Sequence, residues 1–273
     1  MSLKTERDWR PKLVALDIDG TTVDQTSVVP PSLAEKLREI DARGVPVVFV
    51  TGRAWCSTKM IVDQVDLDHG YYICNNGATI VSYPPARVVR TITFDISPIT
   101  KVLKDYPSMV IAVEDFGRGY LISRTLPDSM TYELHGHHRH VPLEEMARLP
   151  AARIIVYDPE ASSEDFFSRC SKLNLSAYSH FFSDNNWLDI ASKQATKSSG
   201  LACVAQMLGV AQADVLAIGD SDNDMDMLAW AGRGVAMGDA SYFVKACADH
   251  VTATLADNGV VMELVRWFPD DEG

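Results

Sequence analysis

What this chain lacks narrows the choices before any motif is read. No uninterrupted apolar run approaches the roughly 20 residues that a membrane-crossing helix needs, and the first residues, Lys4 to Lys12, are polar. Neither a signal peptide nor an anchor is expected, so the reading is a cytoplasmic protein with no membrane partner. Cysteine is scarce and unpatterned: Cys56, Cys74, Cys170, Cys203 and Cys247 are odd in number, with no Cys-x-x-Cys pair. A disulfide framework and a structural zinc centre are thereby disfavoured, and a reducing compartment fits. Positive charge is in deficit, with 25 Lys and Arg against 37 Asp and Glu and a formal net charge of -12. That argues against a nucleic-acid partner but leaves room for a local site that takes an anionic small molecule. Repeats and low-complexity segments are absent. What remains is an ordinary globular composition, 47% hydrophobic and 23% charged, over 273 residues. This length suits two domains, or one domain with a large insertion.

One stretch organises the rest: Lys12-Leu13-Val14-Ala15-Leu16-Asp17-Ile18-Asp19-Gly20-Thr21-Thr22. Its apolar run reads as a buried strand that ends in two carboxylates, a glycine turn and two hydroxyls. Alone, such an Asp-x-Asp-Gly reads equally well as a strand followed by a turn. Three later segments repeat the arrangement. Ser32 and Glu35 predict a capping box for a helix with Leu33, Leu37 and Ile40 on one face, ending at Gly44. Val45 to Val50 then reads as a strand that stops at Thr51-Gly52-Arg53, with a helix from about Ala54. Tyr71-Tyr72-Ile73-Cys74 reads as a third strand, ending in Asn75-Asn76-Gly77-Ala78. Apolar strands alternating with amphipathic helices predict an α/β fold, a Rossmann-like parallel sheet with helices on both faces. Ligands bind such sheets beyond the carboxyl ends of the strands, where Asp17, Thr51 and Asn76 fall.

Past Pro84-Pro85 the texture changes. Strand patterns at Val88 to Phe94, Met109 to Glu114, Tyr120 to Ser123, Arg153 to Tyr157, Leu175 to Phe182 and Trp187 to Ile190 alternate with helical patterns. The helices are expected near Ser97 to Tyr106, Pro142 to Leu149 and Ser162 to Leu173. Several strands show alternation, predicting an antiparallel sheet with one face exposed. This segment is read as an inserted α+β cap domain, residues 84–184, with the core formed by 1–83 and 185–273. Within it, His135-Gly136-His137-His138-Arg139-His140 offers imidazoles to a metal or side chains to a substrate. With no neighbouring cysteine or patterned carboxylate, a solvated turn is the expectation. Tyr120, Tyr178 and Trp187 are candidates for substrate contact or for core packing.

The core resumes at Ala195-Thr196-Lys197-Ser198, the start of a helix with Leu201, Val204, Ala205 and Leu208 inward and Gly209 at its end. A lysine in a first turn is opposed by the helix dipole; Lys197 either points into solvent or is held by nearby anions. Asp214 to Gly219 reads as another buried strand, followed by Asp220-Ser221-Asp222-Asn223-Asp224. These carboxylates suit a helix start. If the strand lies beside the first, Asp220 faces Asp17 and Asp19, and like charges 4 Å apart repel by roughly 4 kcal/mol at an effective dielectric near 20. Such pairs demand a cation, and oxygen-only ligands favour Mg²⁺.

In order, Asp17-Ile18-Asp19-Gly20-Thr21, Val50-Thr51-Gly52-Arg53, Lys197 and Gly219-Asp220-Ser221-Asp222-Asn223-Asp224 resemble the four motifs of the haloacid dehalogenase (HAD) superfamily of phosphohydrolases. Asn76-Gly77-Ala78, the insertion and Gly234-Val235-Ala236-Met237-Gly238 resemble its Cof-like branch, whose cap enters between the second and third motifs. The resemblance spans essentially the whole chain. Thr22 departs from it, since relatives usually carry an apolar residue there. The resemblance implies that Asp17 attacks phosphorus to form an aspartyl-phosphate and that Asp19 is the general acid and base. It implies Mg²⁺ held by Asp17, the backbone carbonyl of Asp19 and Asp220, with Thr51 and Lys197 on the transferring phosphoryl oxygens. Asp224 supports Lys197 or a metal-bound water, and Gly20, Gly52, Asn76 and Asn223 surround the phosphate. Arg53 is read as a substrate ligand, a solvated residue or a bridge to the cap. The implied activity is Mg²⁺-dependent hydrolysis of small phosphate esters, sugar phosphates foremost, by a monomer or homodimer. A phosphotransferase or mutase using the same intermediate, and a non-hydrolytic phospho-acceptor, stay open as alternatives.

Overall fold

Four consecutive apolar residues leave a strand no polar side to turn to water, so Leu13–Leu16 forms a strand, β1, buried throughout. The computed structural model describes residues 9–126, 134, 136–157, 168, 172, 173, 175–180 and 187–269, with backbone only for 175–180 and 187. After β1 come α1 (Pro31–Ala42), β2 (Val47–Val50), α2 (Trp55–Val65), β3 (Gly70–Cys74), β4 (Thr79–Tyr83) and β5 (Arg87–Thr91). Helix α1 starts differently from the expectation. Pro31 takes the first position, where its fixed φ suits the helix and its missing N–H costs nothing. Ser32 is thereby drawn inside the helix and no side chain caps it, so the expected capping box does not form. β4 has no counterpart in the sequence reading. It folds back antiparallel on β3 through Asn75, Asn76 and Gly77, all three at positive φ.

The chain then builds a second region: β6 (Phe94–Asp95), α3 (Ser97–Leu103), β7 (Val110–Asp115), β8 (Gly119–Ile122), β9 (His137–His140), α4 (Leu143–Met146), β10 (Pro150–Ala151), β11 (Arg153–Tyr157), β12 (Leu175–His180) and β13 (Trp187–Ser192). It returns through α5 (Lys197–Leu208), β14 (Val215–Gly219), α6 (Met225–Trp230), β15 (Arg233–Ala236), α7 (Tyr242–Cys247), β16 (His250–Val251) and α8 (Gly259–Trp267). The helix expected at Ser162 to Leu173 lies outside the described residues, apart from 168, 172 and 173, as do Phe181 and Phe182 of the expected strand.

Two compact units result, residues 1–52, 59–89 and 196–273 in one, 53–58 and 90–195 in the other. The first holds an eight-stranded sheet ordered β16-β15-β14-β1-β2-β3-β4-β5, parallel from β16 to β3. α5 and α6 pack on it over a core of Leu13, Ala15, Val48, Val50, Ile73, Leu201, Val204, Ala217 and Met227. The second holds a six-stranded sheet ordered β12-β13-β11-β7-β8-β9, antiparallel except where β9 runs parallel to β8.

Four expectations for this second region are corrected. Trp187–Ser192 pairs with β11, so this strand lies in the second unit's sheet and the boundary expected at 184 falls too early. At the other edge, β5 extends the first unit's sheet beyond residue 83. The exposed sheet face is also replaced: Ile111 and Val113 of β7 join one apolar cluster while Val110 and Ala112 join another on the opposite side. Finally, His137–His140 is no turn. It is the edge strand β9, held by Arg118, whose carbonyl accepts from the His137 N–H at 2.8 Å. His137, Arg139 and His140 are exposed, and His135 lies outside the described residues.

Candidate active site

Within the first unit, the sheet order β14-β1-β2-β3 sets four chain segments side by side, and each strand ends in polar residues. Asp17 follows β1, Thr51 follows β2, Asn76 follows β3 and Asp220 follows β14. Asp17, Thr51, Asn76, Lys197 and Asp224 are all buried. Pairing of β1 with β14, Leu16 opposite Ile218, makes Asp17 and Asp220 neighbours although 203 positions separate them, and the Asp17 N–H donates to the Ile218 carbonyl at 3.0 Å.

Lys197 binds this group together. Its Nζ donates to Asp17 Oδ1 at 2.5 Å and to Asp224 Oδ1 at 2.6 Å. The opposite oxygen of Asp224, Oδ2, accepts from the backbone N–H groups of Asp220 at 3.1 Å and Ser221 at 3.0 Å, which shapes the acidic loop around it. Thr21 Oγ1 donates to Asp220 Oδ1 at 2.9 Å. Asn223 Nδ2 donates to Asn76 Oδ1 at 2.9 Å, tying the loop after β14 to the turn after β3. Two glycines permit the approach. At Gly20, φ is +80° and a Cβ would lie 2.3 Å from Asp220 Oδ2; at Gly77, φ is +94° and a Cβ would lie 1.9 Å from the Thr196 carbonyl oxygen. Gly52 sits against the Asn76 side chain.

Charge at this site does not balance. One ligand oxygen from each of Asp17, Asp220 and Asp224 lies within 4.8 Å of the others, and the Lys197 ammonium can neutralise one of the three. Burial and then the Asp224 carboxylate push the Asp17 carboxyl well above the usual range; Lys197 opposes them, and Asp220 and Asp19 add to the rise. Asp220 is pushed up to about 6, again by burial first and Asp224 second. For Lys197, burial disfavours the charged form, yet Asp17 and Asp224 outweigh it and hold the ammonium above its ordinary pKa. The two partners differ because the lysine faces only opposite charge, whereas Asp17 also faces its own kind. A set of carboxylate oxygens carrying surplus negative charge is the donor chemistry of a hard divalent cation. Asp17 and Asp220 are the apt ligands, since both oxygens of Asp224 are engaged by protein donors.

Of the residues singled out from sequence, Asp17, Gly20, Thr51, Gly52, Asn76, Lys197, Asp220, Asn223 and Asp224 all line this end of the first unit's sheet. Asp19 stands apart from the buried cluster: its side chain is exposed, two residues beyond Asp17. Arg53 groups with the second unit, where the same segment is anchored by the Trp55 N–H donating to Glu114 Oε1 at 3.0 Å. Sequence reasoning missed the partners of the hydroxyls. Thr21 grips Asp220, Thr22 Oγ1 donates to the Asp17 carbonyl at 2.5 Å, and Ser198 engages Asp226 through its N–H and Oγ. Two hydroxyls after Gly20 were visible; their targets, one of them 199 residues away, had no signal.

Comparison with known proteins agrees with this arrangement. The family model of haloacid dehalogenase-like hydrolases matches residues 14–264. HMP-PP phosphatase of Serratia proteamaculans is 28% identical over 241 residues, 84% of this chain and 84% of that protein. Phosphoglycolate phosphatase of Methanopyrus kandleri is 28% identical, covering 90% of this chain and 92% of that one. Among solved structures, the HAD-superfamily phosphatase BT1666 of Bacteroides thetaiotaomicron superposes with a TM-score of 0.80 at 28% identity, covering 97% of this chain and 98% of that chain. With its strand-end carboxylates, site lysine and inserted second unit all inside the matched span, the chain belongs to the haloacid dehalogenase-like hydrolases and is a phosphatase of their Cof-like branch.

Proposed function

We propose that this protein is a Mg²⁺-dependent phosphomonoesterase of small phosphorylated metabolites, sugar phosphates foremost, acting through an aspartyl-phosphate on Asp17. The observation that carries the reading is the charge imbalance of Asp17, Asp220 and Asp224 against Lys197. A divalent cation held by Asp17, the Asp19 carbonyl and Asp220 would draw the phosphate dianion to an anionic nucleophile and withdraw charge from its oxygens.

The chain's own groups carry the remaining steps. Asp17, desolvated at the end of β1, attacks phosphorus in line with the leaving alkoxide. Asp19 is set two residues past Asp17 with its carboxyl exposed, which suits a group that protonates the leaving oxygen and then takes a proton from the attacking water. The Thr51 hydroxyl and the Lys197 ammonium stabilise charge on the transferring oxygens. Asn76 and Asn223, already hydrogen-bonded to each other, and the glycine backbones at 20 and 52 enclose the phosphate. Arg53 belongs to this set as a ligand for the part of the substrate beyond phosphorus. The catalytic core is the first unit, residues 1–52, 59–89 and 196–273, with the inserted second unit as the source of selectivity.

The substrate class rests on the relatives, an HMP-PP phosphatase and a phosphoglycolate phosphatase, each 28% identical. A solved structure of the same fold, 23% identical, is that of a sugar phosphatase. A panel of metabolite phosphates, assayed for released inorganic phosphate with Mg²⁺ and with EDTA, tests the reading. Metal-dependent turnover of at least one monoester is expected; a folded protein that hydrolyses none overturns it. Adding a competing alcohol separates transfer to water from transfer to another hydroxyl.

A further inference from the structure

The first position of a helix opposes a cation, because the unpaired N–H groups of the first turn concentrate partial positive charge there. Lys197 occupies that position in α5 and is buried as well. Asp17 and Asp224 fix the tip of its side chain, and the backbone at its base is fixed separately. Asp226, in the first turn of α6, accepts through Oδ2 from the Ser198 backbone N–H at 3.0 Å and from the Ser198 hydroxyl at 2.5 Å. This contact is not needed to start the helix. Thr196 already caps α5, its Oγ1 accepting from the Ser199 N–H at 3.2 Å while Ser199 Oγ accepts from the Thr196 N–H at 3.1 Å. What Asp226 adds is a tie between two helices from residues 28 apart.

We propose that Asp226 is a positioning residue for the reaction: it pins the first turn of α5 to α6, so that one lysine reaches Asp17 and Asp224 together. Asp224 and Asp226 lie two residues apart on the same acidic segment, one gripping the head of Lys197 and the other the backbone N–H of the next residue, Ser198. The second carboxylate also places negative charge beside the helix terminus that opposes the lysine, relieving the conflict evident from its position. A lysine has four rotatable bonds, and a displacement of about 1 Å at its base is enough to cost roughly a hundredfold in a positioned reaction. The inference rests on the phosphatase reading, with Lys197 at the transferring phosphoryl group.

The test is a double-mutant cycle between Asp226 and Lys197. Asp226→Ala should lower kcat by about tenfold to a hundredfold, with the KM and the Mg²⁺ concentration for half-activation within about threefold. Ser198→Ala, which keeps the backbone N–H contact, should lose less. In a Lys197→Ala background the Asp226→Ala change should cost under about threefold more, because the group it positions is gone. A kcat for Asp226→Ala within about threefold of wild type overturns the proposal, and so do losses that multiply in the two backgrounds. Should Asp226→Ala fail to fold, Asp226→Asn carries the same cycle. The cycle is also read by calorimetric binding of inorganic phosphate, which needs no turnover: Asp226→Ala should weaken binding, and should not weaken it further once Lys197 is alanine. Wild-type protein that binds phosphate but releases none from any ester thus counts against the phosphatase reading, while the binding cycle still decides the role of Asp226.

Discussion

Each unit of this protein buries an ionic group, and the two are built on opposite charge balances. In the second unit, Arg153 on β11 donates through Nη2 to Asp189 on the adjacent strand β13 at 2.8 Å, a cation set directly against an anion. Burial opposes the charged guanidinium, and Asp189 outweighs it. In the first unit, three carboxylates share a site with one ammonium, and two of them are pushed toward protonation. A balanced pair inside a sheet is a structural element whose desolvation is met by its partner. An unbalanced cluster at strand ends stays costly until another cation arrives, and that cost marks the site as functional.

The sharpest way to break this contrast is at Asp17. Asp17→Asn removes the proposed nucleophile and should lower turnover by roughly 10⁴-fold or more, measured as phosphate release. Because it also removes one of the mutually repelling charges, the metal-free variant should melt at or above the wild-type temperature, as strained active sites trade stability for activity. A metal-free variant that melts well below wild type would mean that Asp17 is stabilised where it stands, like Asp189, and the distinction between the two groups would fall. Asp19→Asn should cost about 10²- to 10⁴-fold in turnover; a phospho-acceptor without hydrolysis would scarcely respond.

The balanced pair should answer in the opposite sense. Arg153→Met leaves a buried carboxylate without its guanidinium and should destabilise the protein by about 3–5 kcal/mol, seen as a fall in Tm. Joining it with Asp189→Leu should restore much of the loss, since an apolar pair of similar volume often replaces an ion pair without penalty. If the double variant melts no higher than the single one, the pair is doing more than neutralising itself.

These two groups also differ in how far the sequence discloses them. The site was legible because its residues sit at the ends of strands written as unbroken apolar runs: Leu13 to Leu16, Val47 to Val50, Val215 to Gly219. Such strands pair in parallel, and a parallel sheet delivers all its carboxyl ends to one edge. Lys197 could be placed in a helix's first turn, but whether it faced solvent or anions depended on pairing between β1 and β14, a contact no local pattern encodes. The second unit was less legible. Its strand alternation was read as one wet face, yet Val110, Ala112, Tyr120 and Ile155 cluster on that side too. Arg153 and Asp189 look like ordinary strand residues until the register sets Ile155 opposite Asp189, two positions from Arg153. The histidine segment misled for a related reason: glycine at 136 suggested a turn, and only pairing with β8 makes His137–His140 a strand.

Imbalance also predicts a pH dependence of stability. In metal-free protein the folded states of Asp17 and Asp220 hold protons more tightly than the unfolded chain, whose carboxyls titrate near 3.8. Between that value and about 6 the native state therefore binds more protons than the unfolded state, so unfolding free energy falls as pH rises, by about 1.4 kcal/mol per unit for each proton so retained. In EDTA, Tm should decline across this window more steeply for wild type than for Asp220→Asn, and Mg²⁺ should flatten the decline by binding the ionised form. Parallel curves for the two proteins would show that Asp220 is not held against ionisation.

The smallest effect is expected at Thr22, which the sequence reading set apart from the family pattern. Thr22 is buried, and its hydroxyl donates to the Asp17 carbonyl at 2.5 Å, while its N–H donates to the Ile18 carbonyl at 2.8 Å. A buried hydroxyl is tolerated here because it finds an acceptor within the same turn, and that acceptor belongs to the proposed nucleophile. Thr22→Val keeps the volume and gives up this hydrogen bond, so it should cost about 1 kcal/mol in stability. Because the Asp17 backbone also bonds to Ile218 across the sheet, turnover should change by less than about threefold, within the usual effect of one neutral hydrogen bond. A drop in kcat beyond tenfold with unchanged Tm would assign Thr22 a direct part in orienting Asp17, and would place this chain's departure from its family inside the chemistry rather than beside it.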